Sequence, residues 1–326
     1  MIKLVVDLMG ADNKPKDLIK GAIDAINDID DLYLYVCGPE DELLNEIKDL
    51  NYDNKRIEIV NCNEAITNYD KPVKAFKTKP NSSLIKGLTL AKENDDIKGF
   101  VSCGSTGAIL VSSTFILGRI GKVRPALSPI LGGLHPFCLV DCGANSDVRV
   151  DELYDFAKMG KAYMEAYGKE NPKIALLSNG SEEGKGNDLV KECYKLLKED
   201  PNLNFIGNVE GKNLLTLDVD VVVCDGFSGN IALKTIEGTA GVIAKFLLDY
   251  AKNNNMMKEL GPVLYELKNT YDYNTKGGAV MLGVNKLVMK GHGAGVSETI
   301  YALVKQAYQL AKNNLIEKIK ENLKND

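Results

Sequence analysis

The chain of 326 residues has no tryptophan and only two histidines, His135 and His292. So few histidines exclude a His-rich metal site, and no metal ion is expected. The seven cysteines contain no CxxC pair, and most stand in apolar, strand-like surroundings. They are interpreted as buried, reduced thiols rather than as a disulfide framework.

Long apolar runs are missing as well, and none approaches the roughly 20 residues that a transmembrane helix needs. Residues 1–7 read as a first strand, without the basic region, apolar core and small-residue cleavage site of a signal peptide. A cytoplasmic protein is therefore expected. The net charge of −5 does not indicate the overall basic surface that binds nucleic acid, so no nucleic-acid partner is expected.

Short apolar runs alternate with amphipathic stretches almost from end to end. Near-continuous apolar runs are typical of parallel strands that are buried on both faces. The pattern therefore predicts an α/β fold with a mostly parallel sheet between helical layers. The predicted strands are Lys3–Leu8, Leu32–Cys37, Ile57–Asn61, Gly99–Cys103, Phe137–Asp141, Lys173–Ser178, Asn204–Gly207, Asp220–Asp225 and a paired edge or hairpin of Ala279–Gly283 with Lys286–Lys290.

Helical periodicity fills the intervals between these strands. The predicted helices are Pro15–Asn27, Asp41–Leu50, Ser82–Glu93, Gly107–Leu117, Asp151–Tyr167, Leu189–Lys198, Ile231–Ala251 and one long final helix, Val296–Leu323. No linker rich in proline and serine interrupts the alternation. Residues 1–326 are therefore expected to form a single functional unit, in which any second α/β lobe is interleaved with the first.

The segment Phe246–Leu267 departs from the alternation. Its Asn253–Asn255 triplet predicts a turn between two amphipathic helices, with Met256 and Met257 exposed near the tip. A helical hairpin with apolar residues at its tip serves as a dimer element or as a shallow membrane contact. The alternative is a pair of helices that pack only on their own core.

Five glycine-rich loops follow predicted strands. The carboxyl ends of parallel strands gather on one edge of a sheet, where ligands bind, so the loops are expected to share one pocket. Each combines glycines with short hydrogen-bonding side chains, which suits a small, anionic, oxygen-rich ligand. The loops are Asp7–Asn13, Ser102–Gly107, Asp141–Asn145, Gly180–Asn187 and Asp225–Asn230.

Two of these loops carry the most specific signals. Gly104, Ser105, Thr106 and Gly107 join a helix N-terminus to two hydroxyl groups, as in a phosphate cradle. In Gly180–Asn187, Lys185 adds a positive charge that an anion could use. The alternative is a flexible surface turn with a solvated lysine, which has the same sequence pattern. Neither GxxxxGK[ST] nor a first-strand GxGxxG is present, so no nucleotide cofactor is expected. His292, in Lys290–Gly295, is a candidate proton donor or a turn histidine bonded to backbone.

The motifs, in chain order, are VDLMGAD, PVKAFKTKPNSSL, VSCGSTGAIL, RPALSPI, DCGAN, GSEEGKGN, FIGNVEG, VVVCDGFSGN, GGAVMLG and KGHG. Together they resemble the bacterial phosphate acyltransferase family, PlsX, from Met1 to the final helix. The resemblance implies a three-layer α/β/α homodimer, related in fold to phosphate acetyltransferases and to isocitrate and isopropylmalate dehydrogenases. It also implies transfer of a fatty acyl group from acyl carrier protein to inorganic phosphate, for phospholipid synthesis. Asn13 and Ser105 stand where the family commonly has histidine and asparagine.

The reaction that the resemblance implies leads to a hypothesis for individual residues. Lys185 would hold phosphate or the oxyanion, Asn230 would donate to the thioester carbonyl, and His292 would donate a hydrogen bond or assist the departing thiolate. The remaining substrate-binding candidates are Gly104, Ser105, Thr106, Gly107, Asn145, Gly184, Gly186, Asn187, Asp225 and Gly229.

Partners follow from the same resemblance. Acyl carrier protein is acidic, so a basic docking face is expected. The first candidate is Arg119, Lys122 and Arg124, and the second is Lys71, Lys74, Lys77 and Lys79. Peripheral contact with the inner face of the cell membrane is a further expectation. A phosphate acetyl- or butyryltransferase that uses coenzyme A thioesters is the alternative function.

Overall fold

The computed structural model describes residues 1–271 and 277–324, which divide into two compact units. The described residues of unit 1 are 1–125 and 277–324, and those of unit 2 are 126–271. The strands are β1 (Ile2–Asp7), β2 (Leu32–Gly38), β3 (Ile57–Asn61), β4 (Ile97–Ser102), β5 (Ala126–Leu131), β6 (Phe137–Val140), β7 (Lys173–Ser178), β8 (Asn204–Glu210), β9 (Val221–Val223), β10 (Ala279–Leu282) and β11 (Leu287–Lys290).

The α-helices follow in the same chain order. They are α1 (Pro15–Asp28), α2 (Glu40–Ile47), α3 (Pro72–Thr78), α4 (Ser83–Glu93), α5 (Thr106–Ile116), α6 (Val150–Ala166), α7 (Asp188–Glu199), α8 (Gly226–Asn253), α9 (Met257–Tyr271), α10 (Ser297–Lys312) and α11 (Leu315–Lys324).

In unit 1 the strand order is β3-β2-β1-β4-β11-β10. All described pairs in it are parallel except β10 with β11, which form the predicted antiparallel hairpin. The register places Asp7 opposite Ser102, and Ser102 opposite Lys290. The strands β1, β4 and β11 therefore end level with one another, and the segments that follow them begin at one edge of the sheet.

Helices cover both faces of this sheet. Val5, Phe100 and Val288 join a buried cluster with residues of α4 and α5. Side chains alternate between the faces of a strand, so Leu4 and Val6, which are fully buried, point to the opposite face. There α10 contacts β1, β4 and β11 and packs on α1. The predicted arrangement of a mostly parallel sheet between helical layers is confirmed.

In unit 2 the strand order is β5-β6-β9-β7-β8, with β5 antiparallel to β6 and the other pairs parallel. The register sets Val140 and Leu176 opposite Val223, so β6, β9 and β7 present their carboxyl ends side by side. Helix α6 packs on β6 and β9, where Gly160 leaves room for Val221. Helix α7 packs on β7 and β8.

Helices α8 and α9 pack on each other and are joined through residues 254–256, close to the predicted turn. Few of their side chains are buried, and α9 has none. Large apolar side chains such as Phe246 and Tyr265, each 68% exposed, face solvent. Within residues 1–271 and 277–324, no helix combines the length and apolar character needed to cross a bilayer.

Three predictions of local structure were incomplete or wrong. The sequence prediction omitted β5 and α3. It also gave one final helix over Val296–Leu323, whereas the structure ends α10 at Lys312 and begins α11 at Leu315. Asn314, at φ 55°, adopts the left-handed conformation that asparagine tolerates, and this residue breaks the helix.

Candidate functional site

Unit 1 brings together the loop after β1, the loop after β4 and the turn after β11. The backbone N–H of Asp12 donates to the carbonyl of Gly293 at 2.8 Å, and Asn13 Nδ2 donates to the carbonyl of Gly295 at 2.8 Å. Gly10, at φ 76°, lies against Gly104, where a Cβ atom would approach Cα of Gly104 to 3.5 Å. These three segments therefore form one contiguous surface in unit 1.

Asp7 lies beneath this surface and is almost fully buried. Its Oδ1 accepts the backbone N–H of Met9 at 3.0 Å, and its Oδ2 accepts the hydroxyl of Ser102 at 2.9 Å. Ser102 Oγ in turn accepts the backbone N–H of Gly104 at 3.0 Å. Burial raises the pKa of Asp7 to about 6, against hydrogen bonds from Ser83, Met9 and Ser102 that lower the pKa. One carboxyl group thus holds two loops, a role that the sequence prediction missed.

The loop after β4 has the geometry of an anion cradle. Helix α5 begins at Thr106, and the N-cap side chain of Ser105 makes no hydrogen bond to the helix. The N–H groups of a first helical turn have no partner within the helix and carry partial positive charge. Gly107 is required because a Cβ atom there would approach Pro72 Cγ to 2.8 Å. Residues 105–107 therefore offer amides and hydroxyls to an anion, whereas the N–H of Gly104 is already donated to Ser102 Oγ.

His292 is exposed in the turn after β11, and its Nδ1 accepts the backbone N–H of Ala294 at 3.2 Å. An accepting Nδ1 places the proton of the neutral imidazole on Nε2. The backbone-bonded turn histidine considered from the sequence is thus present, and its second nitrogen stays available as a donor.

In unit 2, Asp141 organises the loop after β6. The carboxylate accepts five N–H groups at 2.7–3.2 Å, from the backbones of Leu127, Gly143, Ala144 and Asn145 and from the side-chain amide of Asn145. Burial raises the pKa of Asp141, and these hydrogen bonds act in the opposite direction. Asn145 is buried with its amide on Asp141, so in this structure it holds the turn. Its predicted contact with phosphate stays a prediction.

The loop after β9 lies directly against the loop after β6. Asn230 Nδ2 donates to the carbonyl of Cys142 at 3.3 Å, and the Asn230 residue is exposed. A Cβ atom on Gly229 would fall 1.9 Å from the carbonyl oxygen of Asp141, so only glycine permits this approach. Asp225 caps α8, accepting the N–H and the hydroxyl of Ser228, each at 2.8 Å. Its carboxylate is thus used within the loop.

The loop after β7 exposes Lys185. Asn179 Oδ1 accepts the backbone N–H of Gly186, which has φ 104°, and Asn187 Oδ1 caps α7 by accepting the N–H of Val190. Gly184 is exposed with open space around it. Within the part of the chain that the structure describes, Lys185 has no ion pair. Its ammonium is free to meet an anion.

The carboxylate of Glu183 does not pair with Lys185. Its carboxylate pairs with Lys198 at 2.8 Å, on helix α7. The backbone carbonyl of Glu182 accepts Asn208 Nδ2 at 2.9 Å and the N–H of Lys185 at 3.0 Å. Glu183 and the backbone of Glu182 therefore stabilise the loop, and among the described residues neither acidic side chain forms an ion pair with Lys185.

The two basic clusters differ in exposure. Arg119 and Lys122 are exposed, whereas Arg124 is half-buried. On the second cluster, Lys79 pairs with Asp70 at 2.8 Å and donates to the carbonyl of Ala65, so its charge is used internally. The other members, Lys71, Lys74 and Lys77, are exposed.

A cavity of about 410 Å³ lies elsewhere in unit 1. Ile2, Ile97 and Leu287, the first residues of three parallel strands, line it. It therefore sits at the opposite ends of these strands from the unit 1 loops that follow β1, β4 and β11. Lys286, on its wall, donates to the carbonyls of Asn94 and Ile97. This cavity is separate from the loop surface of unit 1.

The fold defines a class. A phosphotransacetylase from Streptococcus pyogenes superposes with a TM-score of 0.63 at 20% sequence identity, covering 97% of this chain and 94% of that one. A 4-hydroxythreonine-4-phosphate dehydrogenase from Klebsiella pneumoniae superposes with a TM-score of 0.56 at 11% identity, covering 95% and 100%. The architecture is therefore shared with phosphotransacetylases, as predicted, and also with this 4-hydroxythreonine-4-phosphate dehydrogenase.

The family is narrower than that class. A family model described as fatty acid synthesis protein matches residues 2–318. Phosphate acyltransferases from Dictyoglomus thermophilum and Clostridium tetani are 43% and 42% identical to the chain, each over 99% of this chain and 98% of the relative. The chain belongs to this fatty acid synthesis protein family, and the resemblance inferred from its motifs is confirmed.

Proposed function

We propose that this chain is an acyltransferase that moves a fatty acyl group from the thioester of acyl carrier protein to inorganic phosphate. The product is an acyl phosphate for phospholipid synthesis. The observation that carries the proposal is similarity at 43% identity over nearly the whole chain to a phosphate acyltransferase. The exposed amide, hydroxyl and ammonium donors of the glycine-rich loops support the same chemistry.

The reaction needs little from side chains acting as acids or bases. Phosphate is already an anion at neutral pH, and it attacks the thioester carbonyl directly. The C–S bond breaks, and the thiolate leaves readily because the pKa of a thiol is about 8.5. The enzyme must therefore hold an anion in line with a carbonyl and stabilise the developing oxyanion.

We assign these tasks to the residues singled out above. The amides and hydroxyls of residues 105–107 bind phosphate, with Gly104 forming the turn beneath them, and Lys185 supplies positive charge to the phosphate or the oxyanion. Asn230 donates to the thioester carbonyl. His292 Nε2–H donates to the departing thiolate. Asp7 and Asp141 touch no substrate in this scheme, since they hold the loops in place.

The direct test is acyl-phosphate formation with purified protein, radiolabelled phosphate and palmitoyl-acyl carrier protein. Palmitoyl-coenzyme A and acetyl-coenzyme A serve as parallel donors. The proposal expects kcat/KM to be highest with the carrier-bound donor. A preference for acetyl- or butyryl-coenzyme A would instead establish the alternative, a short-chain phosphate acyltransferase.

We further propose that the α8–α9 pair serves a homodimer contact and a peripheral membrane contact of a cytoplasmic enzyme, and that residues 1–326 act as one functional unit. The support is the exposed apolar surface of the two helices, which includes Phe246, Met257 and Tyr265. Sedimentation velocity and vesicle co-sedimentation of wild type and the Met256→Ser/Met257→Ser variant separate the two contacts. If the variant remains a dimer and still binds vesicles as wild type does, the tip of the helix pair has neither role.

A further inference from the structure

Helices α3 and α5 carry an aromatic pair on the surface of unit 1, in which Phe115 is exposed and Phe76 is half-buried. The rings of Phe76 and Phe115 stack with centroids 5.4 Å apart and planes inclined by 27°. Phe115 is 66% exposed and Val73, on the same helix as Phe76, is 55% exposed. Exposed aromatic side chains of this kind are enriched at the centres of protein interfaces.

Positive charge surrounds this pair, and the acidic residue next to it in sequence, Asp70, pairs with Lys79. Lys74 and Lys77 are three residues apart on α3 and so share one side of that helix, and Lys71 precedes its first turn. Arg119 and Lys122 follow the end of α5. None of these five residues forms an ion pair within the described ranges. We call Val73, Phe76, Phe115 and the three lysines the α3–α5 face.

The local charge is unusual for this chain. The protein carries 45 acidic and 40 basic residues, yet residues 71–92 and 97–140 contain no aspartate or glutamate. All of α3 and α5 lies within these two stretches. An acidic protein that collects uncompensated positive charge around an apolar centre presents a surface complementary to an acidic partner.

The position of the face relative to the phosphate cradle fits a carrier-bound substrate. Pro72 lies against Gly107 at the start of α5, and Phe76 lies against Phe115 near its end. The two helices therefore run side by side in the same direction. From Gly107 to Phe115 the helical rise gives about 12 Å. A partner bound on the aromatic pair would stand away from the cradle and reach it with a flexible prosthetic arm.

We propose that the α3–α5 face docks acyl carrier protein, with Phe115 as the apolar anchor and the lysines as the rim that receives its acidic surface. This inference rests on the proposed function, because it presumes a carrier-bound donor. It moves the centre of docking from Arg119, Lys122 and Arg124 to α3. Arg119 and Lys122 extend the positive charge beyond the anchor.

The test compares Phe115→Ala and Lys74→Glu/Lys77→Glu with matched controls on an exposed helix of unit 2, Leu196→Ala and Lys195→Glu. Steady-state kinetics are measured with palmitoyl-acyl carrier protein and with palmitoyl-pantetheine, which has the same thioester but no protein. Each α3–α5 variant should raise KM for the carrier-bound donor by about 10-fold. The charge-reversal effect should shrink as salt rises, because exposed charges are screened. Neither control should change this KM by more than about 2-fold.

The outcomes separate this inference from the proposed function. If wild type does not use the carrier-bound donor at all, the donor assignment fails and the inference fails with it. If wild type uses that donor and both α3–α5 variants keep wild-type KM, only the docking face is overturned. An equal loss with palmitoyl-pantetheine would also overturn it, as would conversion of a dimer to a monomer in sedimentation velocity by Phe115→Ala, which would make the face a self-contact. Thermal melting checks that each variant is folded.

Discussion

Two buried aspartates, one in each unit, hold the loops after their strands by different means. Asp141 accepts five N–H groups, so nearly every lone pair of its carboxylate has a donor. Asp7 accepts one backbone N–H and the hydroxyl of Ser102, with a further hydrogen bond from Ser83. Amide donors replace the water that a carboxylate loses on burial. Asp141 is therefore the hydrogen-bonded hub of its loop, whereas the charge of Asp7 is less well compensated.

The difference shows that burial alone does not decide the cost of a carboxylate in a loop. Both aspartates are removed from solvent, and desolvation is the largest contribution raising the pKa of each. What distinguishes them is the number of N–H groups that the following turn can aim at the carboxylate. The turn after β6 folds back on Asp141, while the loop after β1 reaches outward to the turn after β11.

Removing the hub in unit 2 should have the largest effect on stability. Asp141→Ala leaves five N–H groups without an acceptor, three of them buried, and the free energy of unfolding should fall by about 4 kcal/mol. Urea denaturation at neutral pH measures this loss. The matched change at an exposed aspartate, Asp151→Ala, should cost less than about 1 kcal/mol. Equal losses in the two variants would show that Asp141 is not a hub.

The second prediction concerns pH and Asp7. The pKa of Asp7 in the folded state is about 6, above the ordinary value of 3.8. Between pH 3.8 and pH 6, the carboxyl group is therefore protonated in the folded state and ionised in the unfolded state. The carboxyl group therefore favours folding below pH 3.8, and this contribution is lost as pH rises through 6. Because one pKa unit is worth about 1.4 kcal/mol, the loss is on the order of 3 kcal/mol. The free energy of unfolding of Asp7→Asn, measured relative to that of wild type, should therefore rise by that amount between pH 4 and pH 7.

Asp70 provides a control of opposite sign for this titration. Lys79 and the backbone N–H of Thr67 lower the pKa of Asp70 to about 2. Its contribution to stability is present above pH 3.8 and is lost as pH falls toward 2. The difference in the free energy of unfolding between Asp70→Asn and wild type should therefore become smaller only below pH 4. A difference between Asp7→Asn and wild type that does not vary with pH from 4 to 7 would show that Asp7 does not titrate as described.

The third prediction compares the groups that the two units present to a ligand. Gly104–Gly107 offers mainly backbone amides, whereas Gly180–Asn187 offers the charge of Lys185. Lys185→Ala should lower kcat/KM for acyl-phosphate formation by about 10²-fold, or about 2.7 kcal/mol, with an unchanged melting temperature. Ser105→Ala, which leaves the amides in place, should lose less than about 10-fold. Near-native turnover of Lys185→Ala would remove this residue from the mechanism.

The smallest effect is expected at His292. A thiolate leaves without strong acid assistance, so His292→Ala should reduce kcat by less than about 10-fold. His292→Gln, which retains a donor, should recover part of the loss. A fall of about 10³-fold in His292→Ala would contradict this minor role and would require a histidine acting as the main acid.

Much of the fold follows from the sequence because buried parallel strands appear as apolar runs. Strand β5 escaped prediction because Pro129 interrupts its apolar run, and proline is uncommon in the interior of a sheet. Helix α3 is short and rich in lysine, so it lacks a full amphipathic period.

The loops could be predicted as ligand-binding segments because glycine and short polar residues mark them in sequence. The organising roles of Asp7 and Asp141 could not, because they depend on which N–H groups the tertiary fold turns toward each carboxylate. Asn145 illustrates the point: its residue type suits a phosphate ligand, while its position on Asp141 gives its amide another task.

The direction of helix α8 depends on the close contact between Gly229, in its first turn, and the carbonyl of Asp141. The helix has 28 residues and so extends about 42 Å, and its buried residues near the start are Gly226, Gly229 and Leu233. Any side chain on Gly229 would push the first turn away from the Asp141 carbonyl. A tilt of about 5° there would carry the far end at Asn253 by about 3 Å. The smallest possible substitution, Gly229→Ala, would thus be felt most strongly at the end of the helix remote from it.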